Sequence, residues 1–185
     1  GCGCAYPESV DAGLVERSNR IHARLKQTAA NHPGLLSALA QLPMFARYQV
    51  GDLRVGVVHG DADSLAGWRF EVAQLDNDQD DEWRAAAFAA AEVDAFASSH
   101  TCLPAMRRFG VDDAKLVANN GAAGMPNFSE TGFGILTRIS PRPSPHQVLY
   151  GTRSRGTRVD ALPIHYDRQA WLESFSANWP EASPA

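Results

Sequence analysis

Two potential metal ligands stand two residues apart in the segment Ser99-His100-Thr101-Cys102, and Pro104 then closes that segment. The apolar run that ends at Ala97 precedes them and predicts the end of a buried strand. A strand that runs out into a His-x-Cys turn can direct both side chains toward one point beyond the edge of a sheet. The pattern makes this turn a candidate metal site, and a capped loop with a buried thiol is the alternative.

Two further loops also follow predicted strands. The apolar run of residues 53–58 leads directly into His59 and Gly60. The run of residues 115–118 leads into Asn119, Asn120 and Gly121, which begin a loop of small residues. Small residues let backbone N–H groups approach an anion or lie beneath a metal centre, although a plain turn is the alternative. In open α/β sheets, sites gather outside the carboxyl ends of the strands, so the three loops are expected at one edge.

The elements that must position these loops follow from periodicity and turn signals. Apolar residues at helical spacing predict helices, and apolar runs bounded by turn residues predict strands. Gly51-Asp52 between two such runs predicts a β-hairpin. The predicted helices cover residues 8–28, 35–42, 83–92, 106–108 and 167–175. The predicted strands cover residues 45–50, 53–58, 93–97, 115–118, 133–139, 147–152 and 157–166.

A strand, a crossover helix and another strand, followed by a strand-rich C-terminal part, predict an α/β fold with an added antiparallel layer. The length of 185 residues is enough for one domain with a hydrophobic core, and we expect that domain over residues 1–178 with a loose tail at 179–185. The net charge of −4 without a basic block gives no signal for a nucleic-acid backbone or an anionic membrane. No apolar run suits a membrane span and no signal peptide is present, so a cytoplasmic location is expected.

The N-terminus and the acidic run at residues 76–82 each carry a further expectation. The chain does not begin with Met and starts in a loop-like sequence, so we expect that natural sequence precedes it. Three cysteines do not make a disulfide framework. The acidic run is interpreted as a solvated surface connector, because the glycine and the spaced terminal Glu of a calcium loop are missing.

The order and spacing of the three loops resemble the second half of the calcineurin-like metallophosphoesterase superfamily, especially its small bacterial, phosphodiesterase-like branch. In that family one strand ends in His-Gly, a later strand ends in Gly-His-Thr-His followed by Pro, and a third ends in Asn-Pro-Gly-Ser. The corresponding stretches here are Val58-His59-Gly60, Ser99-His100-Thr101-Cys102 with Pro104, and Asn119-Asn120-Gly121-Ala122. The resemblance covers roughly residues 45–139.

The resemblance implies a layered β-sandwich flanked by helices, without the family's N-terminal strands, and a site for two divalent ions (Mn, Fe, Ni or Zn). Carried over by position, His59 and His100 would be ligands of one metal, and His100 would also serve catalysis. Cys102 takes the place of a histidine that would bind the other metal. Asn119 or Asn120, with the backbone of Gly121, would support the site from below.

The implied activity is hydrolysis of a phosphomonoester or phosphodiester by a hydroxide that bridges the two metals, with a small phosphate ester or a nucleotide as substrate. Asp61 and Asp63 are candidates for catalytic or substrate contacts in such an enzyme, and loop and helix-cap roles are the alternative. The family's Asp-x-His, Gly-Asp and Gly-Asn-His motifs have no counterpart in residues 1–44. The chain would therefore carry only the C-terminal half of the site.

Two other interpretations stay open at this point. In the first interpretation, the chain is a degenerate member of the fold that binds a ligand or partner without hydrolysis. Alternatively, His100 and Cys102 would form a closed structural zinc site with Cys2 and Cys4, although their spacing matches no usual zinc ribbon.

Overall fold

The structure, a computed structural model, describes residues 3–123, 131–178 and 180. Contacts divide the chain into two compact units, one formed by Met44–Tyr166 and the other by Gly1–Pro43 with Asp167–Ala185. Units defined by contacts need not be separate domains, so the single domain expected over residues 1–178 stays a prediction. The tail expected at 179–185 lies, apart from Pro180, outside the described residues.

Regular elements occur in both units. The helices are α1 (Ala12–Ala30), α2 (Pro33–Ala40), α3 (Val72–Leu75), α4 (Asp81–Ala91) and α5 (Arg168–Asn178). The strands are β1 (Ala46–Val50), β2 (Leu53–Val57), β3 (Ala95–Ser98), β4 (Ala105–Phe109), β5 (Lys115–Asn119), β6 (Phe133–Ser140), β7 (Tyr150–Ser154) and β8 (Thr157–His165).

The smaller unit is helical, as the periodicity predicts. The carboxylate of Asp11 accepts the backbone N–H of Leu14 at 3.0 Å, which caps the start of α1. Pro33 opens α2, because a proline at the first helical position loses no helix hydrogen bond. Helices α1, α2 and α5 confirm the three helices predicted for these segments, with bounds shifted by a few residues.

The larger unit contains a five-stranded sheet in the order β1-β2-β3-β5-β4. The three central strands, β2, β3 and β5, are parallel, and an antiparallel strand pairs at each edge. Gly51 takes a left-handed conformation (φ +58°) in the turn of the predicted β1–β2 hairpin. Helix α4 provides the predicted crossover between β2 and β3. Asp81 and Glu82 lie in its first turn, where negative charges stabilise the N-terminus of a helix.

Strand β4 corrects one prediction. Residues 106–108 were predicted as a short basic helix, but they pair with β5 in an antiparallel hairpin. Successive side chains of a strand point to opposite faces of the sheet. Arg107 accordingly binds Asp76 just after α3, whereas Arg108 donates to Thr152 of β7 in the second sheet.

The second sheet is antiparallel in the order β6-β8-β7 and confirms the predicted C-terminal layer. Two apolar clusters join the layers of the larger unit. One packs the five-stranded sheet against the helical side, and its members are Phe70, Leu75, Phe88, Val93, Phe96, Ala105 and Val117. The other lies toward the three-stranded sheet, and its members are Leu53, Val55, Ala95, Leu116, Ala118 and Val159.

The layered α/β fold expected from the sequence is confirmed. Neighbouring residues such as Ala95 and Phe96 in β3, or Leu116 and Val117 in β5, belong to opposite clusters, so these two strands bury both faces. Full burial of a side chain such as Phe96 contributes about 2–3 kcal/mol to stability, which makes the central strands a rigid base for the loops at their ends. Among the described residues, no helix has both the length and the hydrophobicity needed to cross a membrane.

Candidate functional site

The three loops singled out in the sequence meet at one edge of the five-stranded sheet. His59 follows β2 by two residues, His100 follows β3 by two residues, and Asn119 ends β5. Because these strands are adjacent and parallel, their carboxyl ends lie side by side. The sequence-based expectation that the loops converge is therefore met by the topology.

The imidazoles of His59 and His100 are in direct contact. His100 Nδ1 lies 3.2 Å from His59 Nε2, and the ring centroids are 4.9 Å apart in an edge-to-face arrangement. The backbone fixes this pair, because the N–H groups of Ser99 and His100 donate to the carbonyl oxygen of His59 at 3.2 and 2.9 Å. Ser99 Oγ lies 3.3 Å from the other ring nitrogen of His59, Nδ1.

The surroundings of His59 favour its neutral form. Burial lowers the pKa of His59 from its ordinary value, and the neighbouring charge of His100 lowers that pKa further. Metal ions bind the neutral imidazole, so a neutral His59 ring can act as a ligand without first losing a proton.

The spacing of the two ring nitrogens fits a shared metal ion. Two imidazole nitrogens bound at about 2.0–2.1 Å to one ion lie about 2.8–3.4 Å apart for cis angles between octahedral and tetrahedral values. The observed 3.2 Å between His100 Nδ1 and His59 Nε2 falls within that range. Two imidazoles are only part of a coordination shell, and the described residues contain no group of three or more His, Cys, Asp or Glu side chains placed to hold an ion.

Cys102 has an uncommon backbone conformation, and its thiol contacts the local backbone. Its φ is +65°, which lies in the left-handed region, and Sγ lies 3.6 Å from the carbonyl oxygen of His100. Burial raises the pKa of the Cys102 thiol, which keeps it protonated. Its assignment as a metal ligand stays a prediction. The zinc site with Cys2 and Cys4 is also untested, since Cys2 lies outside the described residues.

Asp61 faces its own loop. Its Oδ1 accepts the backbone N–H groups of Asp63 and Ser64 at 3.0 and 3.1 Å, and its Oδ2 accepts that of Arg69 at 3.2 Å. The side chain is buried, with 6% of the residue exposed. These contacts give Asp61 a structural role as the centre of the loop, and its catalytic role stays a prediction.

Asn119 joins the loops from beneath. Its amide nitrogen donates to the carbonyl oxygen of Phe70 at 3.0 Å and to Thr101 Oγ1 at 2.5 Å. Its Oδ1 accepts the N–H of Gly121 at 2.9 Å. The residue is buried, so one amide connects the β5 loop with the loops after β2 and β3.

Asn120 and Gly121 hold the β5 loop against its neighbours. Asn120 Nδ2 donates to the carbonyl oxygens of Gly121 and Ile135. Gly121 has φ +67°, and a Cβ there would lie 2.3 Å from the carbonyl oxygen of Cys102. Only glycine fits this position without displacing the His100–Cys102 loop. The rest of the predicted small-residue loop, from residue 124, lies outside the described residues.

Trp68 is a site residue that sequence reasoning missed. Its ring packs edge-to-face against His100, with centroids 5.3 Å apart. It lies in residues 67–75, a segment whose apolar residues follow neither a helical nor a strand period. The one available signal was an aromatic residue shortly after His59, and that signal did not specify a partner.

A cavity of about 860 Å³ lies elsewhere in the larger unit, between the α3–α4 segment and the turn from β4 to β5. None of the predicted site residues lines it. Its rim contains part of the acidic run, in which Asp76 pairs with Arg107 and Asp81 with the buried Arg84.

These observations define a mixed α/β protein whose candidate site is a pair of imidazoles at the carboxyl edge of parallel strands. A metallophosphoesterase from Sphaerobacter thermophilus has a similar fold, with a TM-score of 0.51 and 18% sequence identity over 98% of this chain and 67% of the other. The chain therefore has a metallophosphoesterase-like fold, and the resemblance predicted from the sequence is confirmed at the level of the fold.

Two other solved structures show weaker similarity. A hypothetical protein from Pyrococcus horikoshii OT3 gives a TM-score of 0.48 at 14% identity, covering 77% of this chain and 48% of that protein. A zinc complex of Vps29 from Entamoeba histolytica gives a TM-score of 0.34 at 18% identity, covering 54% of this chain and 47% of that protein. The chain thus spans about half the length of these two proteins. No protein-family profile matches the sequence, and no curated protein sequence is detectably similar to it.

Proposed function

We propose that the protein is a metal-dependent phosphoesterase in which this chain supplies the imidazole half of the metal site. The observation that carries the proposal is the contact between His59 and His100, whose facing nitrogens are 3.2 Å apart at the carboxyl ends of adjacent parallel strands. That spacing suits two cis ligands of one ion, and the fold is the one in which such sites are expected.

The donor set indicates which ions would suit the site. Imidazole nitrogen favours Mn, Fe, Ni or Zn over the hard cations Mg and Ca. When bound, a divalent ion lowers the pKa of a coordinated water and neutralises charge on a phosphoryl oxygen. By the sequence resemblance, Cys102 takes the place of a ligand for a second ion, and a thiolate there would favour Zn.

The residues of this chain have distinct tasks in the proposed site. His59 and His100 would hold the ion, and the lowered pKa of His59 keeps that ring in its ligating form. Asn119 and Gly121 fix the loops that carry His100 and Cys102. The substrate would be a small phosphate ester or a nucleotide.

The remaining ligands would be carboxylates and amides outside the described residues. The buried carboxylate nearest to His59 along the chain, Asp61, already accepts three backbone hydrogen bonds. Two neutral imidazoles compensate none of the charge of a divalent metal, so the proposal requires anionic oxygen ligands besides these two histidines.

A non-catalytic, metallophosphoesterase-like binding protein is the second candidate. It is favoured by one observation: the described residues place no carboxylate beside the two histidines to complete a metal-binding group. The same surface would then bind a ligand or partner through the imidazoles and the loops around them.

Hydrolysis of aryl phosphates distinguishes the two candidates. The full-length product of the natural gene is incubated with p-nitrophenyl phosphate and bis(p-nitrophenyl) phosphate over Mn²⁺, Ni²⁺, Zn²⁺ and Mg²⁺. We expect metal-dependent turnover of at least one ester, and a loss of about 100-fold in kcat/KM for His100→Ala. The absence of turnover with every metal, beside a working control enzyme, would contradict the phosphoesterase and support the binding protein.

A further inference from the structure

The loop between β2 and α3 brings an aromatic side chain against one of the two histidines. Trp68 packs edge-to-face on His100, with ring centroids 5.3 Å apart and planes at 74°. His100 also meets His59, at 4.9 Å between centroids. The terminal torsion of a histidine side chain is intrinsically broad, so the orientation of the imidazole depends on contacts such as these.

A carboxylate clamp gives that loop its shape. Asp61 Oδ1 accepts from the N–H groups of Asp63 and Ser64, and Oδ2 accepts from the N–H of Arg69, the residue after Trp68. The backbone at Gly67 passes directly over the clamp, since a Cβ there would lie 1.9 Å from Asp61 Oδ2. Asp61 thus binds both ends of the segment that carries Trp68.

A second set of contacts anchors the segment to helix α4 and the core. Phe70 is fully buried and packs against Phe96 with centroids 5.3 Å apart. The guanidinium of Arg69 lies 4.5 Å above the ring of Trp83, whose Nε1–H donates to Asp63 Oδ2 at 2.7 Å. The residues on both sides of Trp68 are therefore held independently of the histidines.

We propose that Trp68 is a positioning residue that fixes the imidazole of His100, and that the Asp61 clamp exists to hold Trp68 in that place. This assigns to Asp61 a role in the site that acts through the loop rather than through substrate. The inference rests on the proposed function only in that His100 is taken to be a metal ligand; the packing itself is present without metal.

The first experiment measures the mobility of the His100 ring in metal-free protein. Carbon-13 relaxation of the His100 imidazole is compared among wild type, Trp68→Ala and Trp68→Phe, with Trp171→Ala of helix α5 as a matched tryptophan control. We expect an order parameter of about 0.8 for the His100 ring in wild type, Trp68→Phe and the control, and one below about 0.6 in Trp68→Ala. An unchanged His100 order parameter in Trp68→Ala would overturn the proposal.

The second experiment tests the clamp while leaving Trp68 in place. Asp61→Asn keeps one acceptor oxygen but turns an NH₂ group toward the N–H of Arg69, so the segment should loosen. We expect the His100 order parameter to fall in this variant, with the dispersion of the amide spectrum retained as a check on folding. A rigid His100 in a folded Asp61→Asn protein would contradict the role assigned to the clamp.

A zinc titration separates this inference from the proposed function. Trp68→Ala should weaken Zn²⁺ binding about tenfold, whereas Trp68→Phe should stay within about threefold of wild type. If wild type binds no zinc, the proposed metal site fails, and the relaxation measurements still decide whether Trp68 positions His100. Equal zinc affinity in wild type and a folded Trp68→Ala would count against a positioning role in metal binding.

Discussion

Asp61 satisfies three backbone N–H groups with one buried carboxylate in the loop that follows His59. A charged acceptor that serves several donors stabilises a loop strongly, because its loss leaves each donor without a partner. At the residue scale, the loop that carries Trp68 therefore depends on one buried carboxylate for its shape.

Asp61→Ala should lower the free energy of unfolding by about 2–4 kcal/mol, since three part-buried hydrogen bonds to a buried carboxylate are lost. Urea denaturation measures this change. Asp52→Ala, in the exposed β1–β2 turn, is the control and should stay within about 0.5 kcal/mol of wild type. Similar losses in the two variants would mean that the Asp61 contacts contribute little.

The sequence predicts the placement of the two histidines better than it predicts the contacts of the residues around them. His59 and His100 follow apolar strands, and strand ends of a parallel sheet must meet, so their proximity follows from pattern. The backbone conformation of Cys102 does not follow from the pattern, because a left-handed φ is uncommon for a non-glycine residue. The same local sequence is compatible with a loop role and with a catalytic role for Asp61, and the backbone hydrogen bonds that it accepts become visible only in the folded loop.

At the element scale, the loops after β3 and β5 approach each other closely, and this approach requires a glycine at position 121. The N–H of Ala122 donates to the carbonyl oxygen of Cys102 at 3.0 Å, and Gly121 passes beside that same oxygen. The contact places the Asn119 amide, and through it Thr101, under the His100 loop.

Gly121→Ala should destabilise the protein more than Gly156→Ala, although both glycines have positive φ. A Cβ at position 156 meets no atom within 4 Å, so its cost is the left-handed conformation alone, about 1–2 kcal/mol. A Cβ at position 121 adds an overlap with the Cys102 carbonyl, which should raise the cost by about 1 kcal/mol or more. Thermal unfolding compares the two variants, and equal shifts in Tm would contradict the close approach.

The elements themselves differ in how far sequence predicts them. The hairpin at Gly51-Asp52 and the alanine-rich α4 carry strong local signals, and both were predicted. Residues 106–108 were assigned the wrong element, because three residues show no period. Their strand conformation comes from pairing with β5, which supplies the backbone hydrogen bonds.

At the scale of the larger unit, an ion-pair cluster binds the layers at the end of the sheet opposite the histidines. Asp94, which precedes β3, is almost completely buried. Its carboxylate forms ion pairs with Arg54 at 3.0 Å, Arg155 at 3.1 Å and Lys115 at 3.5 Å. Burial alone would raise the pKa of Asp94, but the hydrogen bonds from Arg54 and the charges of Arg155 and Arg54 outweigh it and lower the pKa to about 2.

This shift predicts a pH dependence of stability. Because the folded pKa of about 2 lies below the ordinary 3.8, ionised Asp94 stabilises the fold above pH 3.8, and that contribution is lost as the pH falls toward 2. The difference in unfolding free energy between wild type and Asp94→Asn should therefore shrink by about 2 kcal/mol between pH 5 and pH 2. Urea titrations across this range measure it, and a difference independent of pH would be inconsistent with the shifted pKa.

The layered architecture was predictable because the central strands appear as apolar runs, and β3 and β5 bury both of their faces. The division into two compact units was not predictable from the sequence, since both units contain helices with ordinary connections. Local patterns specify elements and their order, whereas the grouping of elements depends on contacts between distant residues.

Zinc binding to the two histidines tests the central claim most directly. Equilibrium dialysis of Zn²⁺ is compared among wild type, His59→Ala, His100→Ala and, as a control, His32→Ala at the exposed start of α2. We predict that wild type and the control bind zinc with equal affinity, and that each site variant loses at least about tenfold. Equal affinity in all four proteins would show that His59 and His100 are not metal ligands.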